Sequence, residues 1–394
     1  MKTRKAGMTW AAACAGIAAA LVQPAALAGT AEVVATGLVN PKGIDQSPSG
    51  ALYVAEAGNG GSDCTTVPGV CFGLTGAVSR VDPTGVQPAQ RVVTGLPSVY
   101  SGSPRLAVGA NDVSFSRYGA PTVVMGLGGD LARRDALGPS AARLGQILRI
   151  DLDGGTTKAV ADISAFEQSD NPDHGAVDSN PYGLEAQPGE WAVADAGANS
   201  LVRARPNGKT SLLAVFPPQM VQAPGAPAGT LMPSQAVPTS VTKGPDGYYY
   251  VGTLTGFPFA AGSANVWRVP PWGGTPELCG SGFTTIVDVA FDPDGRLYVL
   301  EISSGLRGPP VGPPPPPLKT PGKLKRIDRC GAPVETVYDN ADASAGVVLE
   351  YPGGVVIGLD GAAYVTNKTI LSGGGEVVRI PLDDTRCRNK RHHH

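Results

Sequence analysis

A hairpin pattern that recurs along the chain limits its fold more than any other feature. The stretch Gly43–Glu56 reads G-I-D-Q-S-P-S-G-A-L-Y-V-A-E, and Asp288–Glu301 reads D-V-A-F-D-P-D-G-R-L-Y-V-L-E. Each joins a short apolar strand, a tight turn containing Pro and Gly, and a second apolar strand. Four more copies fit the frame: Asp112–Met125, Tyr182–Asp195, Ser240–Thr253 and Gly354–Asn367, each with a first-to-last offset of 13 residues. A third strand follows each copy, at Ala77–Val81, Gln146–Ile150, Leu201–Ala204, Asn265–Val269, Lys323–Ile327 and Glu376–Ile380. Repeated hairpins build either a solenoid or the blades of a ring. The unequal loops between copies favour blades, and closing a ring removes its sheet edges. The sequence therefore predicts an all-β, six-bladed β-propeller, with the orphan strand Glu32–Thr36 completing the last blade. A helical fold is excluded by short β-branched blocks set between glycines and prolines, with Gly 54 and Pro 37 in the chain.

The ends of the chain read differently. Lys2, Arg4 and Lys5 precede an apolar run, Trp10–Val22, and then Ala26-Leu27-Ala28. This is the pattern of a secretory signal peptide over 1–28, its apolar part shorter than the roughly 20 residues that span a bilayer. The propeller is expected over 29–385, with a tail at 386–394, in the periplasm or outside the cell. No later segment is apolar and long enough to cross a membrane. A net charge of -2 and the lack of a basic stripe argue against nucleic acid as a partner. The expected partner is a small-molecule ligand, and the expected state is a monomer. Export permits disulfides. The expected pairs are Cys64–Cys71 and Cys279–Cys330, with Cys387 left over and no zinc spacing. Insertions are expected at Leu127–Arg143, with a short helix, at Pro217–Pro238, and at the proline-rich Pro309–Pro317.

The repeat register points to a site. In a propeller the first strand of each hairpin lines the channel, so repeat starts and ends share one face. Asp112 and Asp288 start copies three blades apart and should face each other across the channel, with Glu56, Asp195 and Glu301 farther out. Carboxylates gathered in this way need a cation, a proton or ordered water. Hard oxygen ligands select a divalent cation such as Ca²⁺. The expected metal set is Asp112, Asn180 and Asp288. Asn111, Tyr182, His174 and Asp178, together with Glu56, Asp195 and Glu301, are candidate ligand-binding residues. His174, Asp178, Asn180 and Tyr182 come from the polar loop D-N-P-D-H-G-A-V-D-S-N-P-Y-G at 170–183. The competing reading is structural: carboxylates after a second strand also accept backbone amides and fix the next loop. There is no nucleophile elbow and no Ser-His-Asp pattern, so catalytic residues stay unassigned.

The blocks G-A-N-D-V at 109–113, G-Q-I-L-R-I-D at 145–151, D-S-N-P-Y-G at 178–183 and V-P-T-S-V at 237–241 resemble the exported ScyD/ScyE propeller family. Its name comes from the locus for the cyanobacterial sunscreen pigment scytonemin. The resemblance covers nearly the whole chain after the signal peptide. It implies a role in making an indole- and phenol-derived pigment, with an aromatic small molecule as ligand. More widely, the chain resembles gluconolactonase-like and strictosidine-synthase-like six-bladed propellers. Gluconolactonase-like members hold a divalent cation through Glu, Asn and Asp. Asp288 matches the Asp and Asn180 approximates the Asn, but Gly43 stands where the Glu would be. A metal-assisted hydrolase and a noncatalytic binding or scaffold module both remain open on this reading.

Overall fold

A computed structural model describes residues 30–101, 106–116, 120–303, 321–339, 346–370 and 373–382. The signal segment, Pro309–Pro317, Cys387 and the tail lie outside the described residues. Six antiparallel sheets form the blades of a propeller. Their inner strands are Pro41–Gln46, Ala110–Ser114, Pro181–Gln187, Pro238–Lys243, Ile286–Phe291 and Gly354–Ile357. We number the blades 1 to 6 in that order. Every expected third strand is found within a blade. The first described strand, Glu32–Leu38, pairs antiparallel with the last, Gly375–Ile380, and completes blade 6, so these two strands close the ring.

The second strands explain why the sequence carries continuous apolar runs instead of a simple alternation. Each blade is covered on both faces by its neighbours. In Leu297–Glu301, Leu297 and Val299 enter the apolar cluster shared with blade 4, while Tyr298 and Leu300 enter that shared with blade 6. Leu52–Glu56 divides its side chains in the same way between blades 6 and 2. The core is thus a set of apolar seams, one between each adjacent pair of blades.

The turns also follow from sequence. In Asp292-Pro293-Asp294-Gly295 the amide of Gly295 donates to the Asp292 carbonyl at 3.0 Å, with Gly295 at φ +81°. The same three-residue loop recurs at Gly247 and Gly361. This loop ends on a left-handed residue, which favours glycine. Blade 3 differs: Gln187 pairs directly with Glu190, leaving only Pro188-Gly189 as the loop.

Additions decorate the ring. Blade 1 has two long strands, Val70–Val81 and Gln90–Ser101, extended by Asp63–Val67 and Leu106–Val108. Helix Leu131–Ala136 fills the expected insertion in blade 2. The Pro217–Pro238 excursion forms a separate hairpin, Gln219–Gln222 with Leu231–Ser234. A second helix, Ile163–Asp170, was not expected. It is capped by Asp162, which accepts from the Ala165 amide at 2.9 Å. Both expected disulfides are formed, Cys64–Cys71 within blade 1 and Cys279–Cys330 between blades 4 and 5. No described helix is long and apolar enough to cross a membrane.

Ring closure gives the first prediction. Val34, Ala35 and Leu38 are buried in the seam between blades 6 and 1. Deleting residues 30–38 removes these side chains, with Val34 and Leu38 worth about 1.5–3 kcal/mol each, and bares the edge of Gly375–Ile380. The truncated protein should melt at least several degrees lower and associate in solution, measured by circular dichroism and by light scattering.

Candidate functional site

Strand pairing fixes which inner residues share a layer of the channel. Asp112 stands opposite Val124, Ser240 opposite Gly252, Asp288 opposite Leu300 and Gly354 opposite Thr366. In blade 3 this place belongs to Gly183, opposite Ala194. The constant 13-residue frame put Tyr182 there. The shorter Pro188-Gly189 loop shifts the register by one and corrects it. With Gly43 in the blade 1 bulge between Pro41 and Ile44, the layer runs Gly43, Asp112, Gly183, Ser240, Asp288, Gly354.

The glycines in this layer are sterically required. A Cβ on Gly43 would stand 1.9 Å from Oδ1 of Asp112, and one on Gly183 would stand 2.6 Å from the Cα of Ser240. Blade 1 therefore has no room for a ligating Glu at position 43, because the Asp112 carboxylate occupies that space.

Asp112 and Asp288 do line one cavity. It has a volume of about 260 Å³ and reaches from their layer toward the hairpin end of the inner strands. Asp45, Ser114, Glu185 and Lys243 line it too, with Val289, Phe291, Val355 and Ile357 among its apolar residues. Asn111 and Asn180 do not line it. The Asn111 amide donates to the Pro181 carbonyl at 2.9 Å and faces Oδ1 of Asn180 at 3.4 Å, tying blade 2 to blade 3. The expected set Asp112, Asn180, Asp288 is thus divided between a channel pair and an inter-blade contact.

Each channel aspartate joins two blades. Asp112 accepts the Val113 amide at 2.8 Å and the Leu184 amide of blade 3 at 2.8 Å. Asp288 accepts from Val289 at 2.8 Å and from Val355 of blade 6 at 2.7 Å. Asp45 accepts from Gln46 and from Phe115 of blade 2, both at 2.7 Å. These amides favour the charged carboxylates. Burial opposes them and dominates. Asp112 is raised well above the ordinary carboxylate range, first by burial and then by the charge of Asp288. Burial pushes Asp288 up to about 7 and Asp45 up to about 6. Glu185 also reaches about 7 through burial and the charge of Asp45, with Lys243 nearby opposing the shift. Tyr182 packs against the seam between blades 5 and 6, on the far side of the channel from its own blade. Burial and the charges of Asp288 and Asp112 raise its phenol.

The outer carboxylates are in place as staples. Glu56 is buried, accepts the Val39 amide at 2.6 Å and pairs with Arg91 at 2.8 Å. Asp195 is buried and accepts Ser179 Oγ at 2.6 Å and the Asn180 amide at 2.7 Å. Glu301 is buried, accepts the Thr284 amide at 2.7 Å and pairs with Lys325 at 2.8 Å. In each case the acceptor holds the linker that enters its own blade. None of the three lines the channel cavity, which corrects the expectation of five carboxylates gathered at one end. His174 and Asp178 are exposed on the loop after the second helix. The sequence reading missed Asp45, Glu185 and Lys243. Asp45 lies two residues beyond Gly43, and a strand's period of two was the available signal.

The aspartate pair has lone pairs left for a ligand, since two amides occupy only part of each carboxylate's acceptor capacity. No group of three or more His, Cys, Asp or Glu among the described residues stands ready to hold a metal ion.

No family model matches the chain. No curated protein matches it either. Solved structures of similar fold include a putative oxidoreductase (glucose dehydrogenase) from Thermus thermophilus, at 17% identity and TM-score 0.48 over 89% of this chain and 99% of that one. Another is an inactive variant of virginiamycin B lyase from Staphylococcus aureus with quinupristin, at 15% identity and TM-score 0.44 over 88% and 96%. A gluconolactonase from Xanthomonas campestris matches at 13% identity and TM-score 0.41 over 92% and 90%.

Two predictions follow from the packing and the charges. Gly43→Ala should lower stability by about 1–3 kcal/mol, the cost of overpacking, and should cost less in an Asp112→Ser background, measured by a denaturant double-mutant cycle. The raised carboxylates set a pH dependence. A carboxylate whose pKa rises on folding holds its proton more tightly in the native state. Its contribution is complete below the unfolded pKa and is lost as pH rises through the folded value. The protein should therefore melt lower at pH 7.5 than at pH 5. Asp288→Asn removes one amide acceptor but also the charge. The deficit of this variant against wild type should be smaller at pH 7.5 than at pH 5 in calorimetric scans.

Proposed function

We propose that the protein is an exported ligand-binding propeller whose channel takes a small positively charged ligand, with Asp112 and Asp288 receiving the charge. The supporting observation is the cavity itself: two carboxylates line the same space of about 260 Å³, and burial makes the ionised form of each costly. A cation would remove that cost and leave the inter-blade hydrogen bonds in place. The simplest such ligand is a divalent cation, with Ca²⁺ the first choice for all-oxygen donors. The lining of the cavity is apolar on blades 5 and 6, where it includes Val289, Phe291, Val355 and Ile357, and acidic on blades 1 and 3, where it includes Asp45 and Glu185. That division suits an organic cation with a flat apolar face, in line with the aromatic ligand implied by the pigment-family resemblance. Two disulfides agree with an oxidising compartment.

A second reading has its own support. Carboxylates shifted toward neutral pH are what a general acid–base pair requires, so the same pair could act on a bound substrate. The test separates the two. Calorimetry with Ca²⁺, Mg²⁺ and an aromatic amine such as tryptamine should show binding at pH 7.5 that Asp288→Asn weakens. The bound ligand should raise the wild-type melting temperature more than that of the variant. Absence of binding by all three probes would rule out the binding reading. Chemical conversion of a bound amine, lost in both Asp112→Asn and Asp288→Asn, would establish the enzymatic one.

A further inference from the structure

A second cavity lies at the hairpin end of blades 2 and 3 and shares no lining residue with the channel cavity. Its volume is about 360 Å³, within the range of small-molecule pockets. Ser116 and Arg149 of blade 2 line it, with Gln187, Pro188, Trp191 and Pro206 of blade 3. Trp191 is 5% exposed and donates its indole Nε1–H to Thr122 Oγ1 at 3.1 Å, which fixes the ring. Arg149 is exposed, with its guanidinium carbon 5.9 Å from the centroid of that ring. No carboxylate pairs with Arg149 among the described residues. Strand pairing instead sets Lys158 directly opposite it, where like charges repel. The nearby acids are engaged elsewhere. Asp151, the next residue on that face of the strand, accepts the amides of Asp153 and Gly154 at 3.1 and 3.2 Å. Glu190, beside Trp191, pairs with Arg203 at 3.1 Å and accepts the Tyr249 hydroxyl at 3.1 Å. The turn Arg205–Lys209, which supplies Pro206, adds two more exposed cations.

An arginine keeps its charge at any working pH. The contact with Trp191 attracts the guanidinium but takes up none of its N–H donors. A carboxylate would accept two of them in the fork geometry that a guanidinium favours, and would offset the repulsion from Lys158. A flat apolar body carried by that carboxylate would meet Trp191, Pro188 and Pro206. We propose that this cavity binds a small aromatic carboxylate, its charge held by Arg149 with Lys158 adding to the attraction, and its ring against Trp191. An inorganic anion meets only the first of these requirements, and a neutral aromatic molecule only the second. The site selects the opposite charge to the channel and does not depend on the channel proposal.

The experiment is a calorimetric titration of the full chain at pH 7.5 and low salt with 2-naphthoate, with its neutral analogue 2-naphthalenemethanol, and with inorganic phosphate. Wild type should bind 2-naphthoate with a Kd on the order of 10⁻⁴ M, as a ligand of this size and ordinary efficiency does. It should bind the other two at least about tenfold more weakly. Arg149→Gln changes an exposed side chain and should weaken 2-naphthoate binding by about tenfold or more. Arg149→Lys should recover only part of the loss, since an ammonium group has no planar fork. Lys158→Gln should weaken binding several-fold at low salt and less at high salt. An Asp112→Asn, Asp288→Asn double variant should bind 2-naphthoate as wild type does, which distinguishes this cavity from the channel. The proposal is overturned if 10 mM 2-naphthoate does not bind wild type, if Arg149→Gln binds it equally well, or if the channel double variant loses the binding. Equal binding of the neutral alcohol or of phosphate also overturns it, since the cavity then reads only shape or only charge.

Discussion

A propeller has one polar debt that its sheets cannot settle: the inner strand of each blade is an edge, and its outward amides have no fifth strand to pair with. Side chains from the adjacent blade supply the acceptors. Asp45 takes the Phe115 amide, Asp112 that of Leu184, Ser114 that of Ala186, Asp288 that of Val355, and Gln46 that of Leu359. The apolar seams hold blades face to face, but these bonds fix how far each inner strand slides along its neighbour. The channel carboxylates are therefore structural before they are anything else. Their position in the cavity, and the glycines that make room for them, follow from that first duty.

The ring was legible because its unit repeats. The Pro- and Gly-containing turns mark hairpin ends, and the runs L-Y-V-A and L-Y-V-L announce strands buried on both faces. The orphan strand and both disulfides could also be read from the sequence. The layer across the channel was only partly legible, since one missing loop residue at Pro188-Gly189 moves blade 3 by one position. That slip assigned Tyr182 to a place held by Gly183. The outer carboxylates were misplaced for a different reason. Glu56, Asp195 and Glu301 share a sequence position, and position alone does not tell whether a carboxylate turns toward the channel or back to a linker amide. The structural alternative, stated for these residues from sequence, is the one their contacts support.

The two acidic regions show the same physics with different outcomes. Glu56 and Glu301 are as buried as any side chain in the protein, yet each has a cation against it, Arg91 or Lys325. Desolvation there is offset by a charge and by amides. Asp112 and Asp288 have amides only, and each lies within the other's field. Amide hydrogen bonds stabilise one carboxylate locally, but they do not neutralise a second one across a shared cavity. Asp195 is a staple held by a hydroxyl and amides alone, so what marks the channel pair is the second carboxylate in the same cavity.

The channel is also asymmetric in a way that its layer is not. Blades 1 to 3 present Gly43, Asp112 and Gly183, and blades 4 to 6 repeat the pattern with Ser240, Asp288 and Gly354, so the aspartates are related by a half-turn of the ring. Two residues further along, the halves diverge. Blades 1 and 3 place Asp45 and Glu185 there, while the opposing blades place Thr242 and Val356. Charge is thus symmetric at the aspartate layer and one-sided beyond it. A bare ion would be satisfied by the symmetric pair and would gain nothing from the apolar wall. A ligand with a charged end and a flat apolar body would use both, its charge between Asp112 and Asp288 and its body on the side of Thr242 and Val356. Under the proposed binding role, an organic cation would meet both requirements and a metal ion only the first.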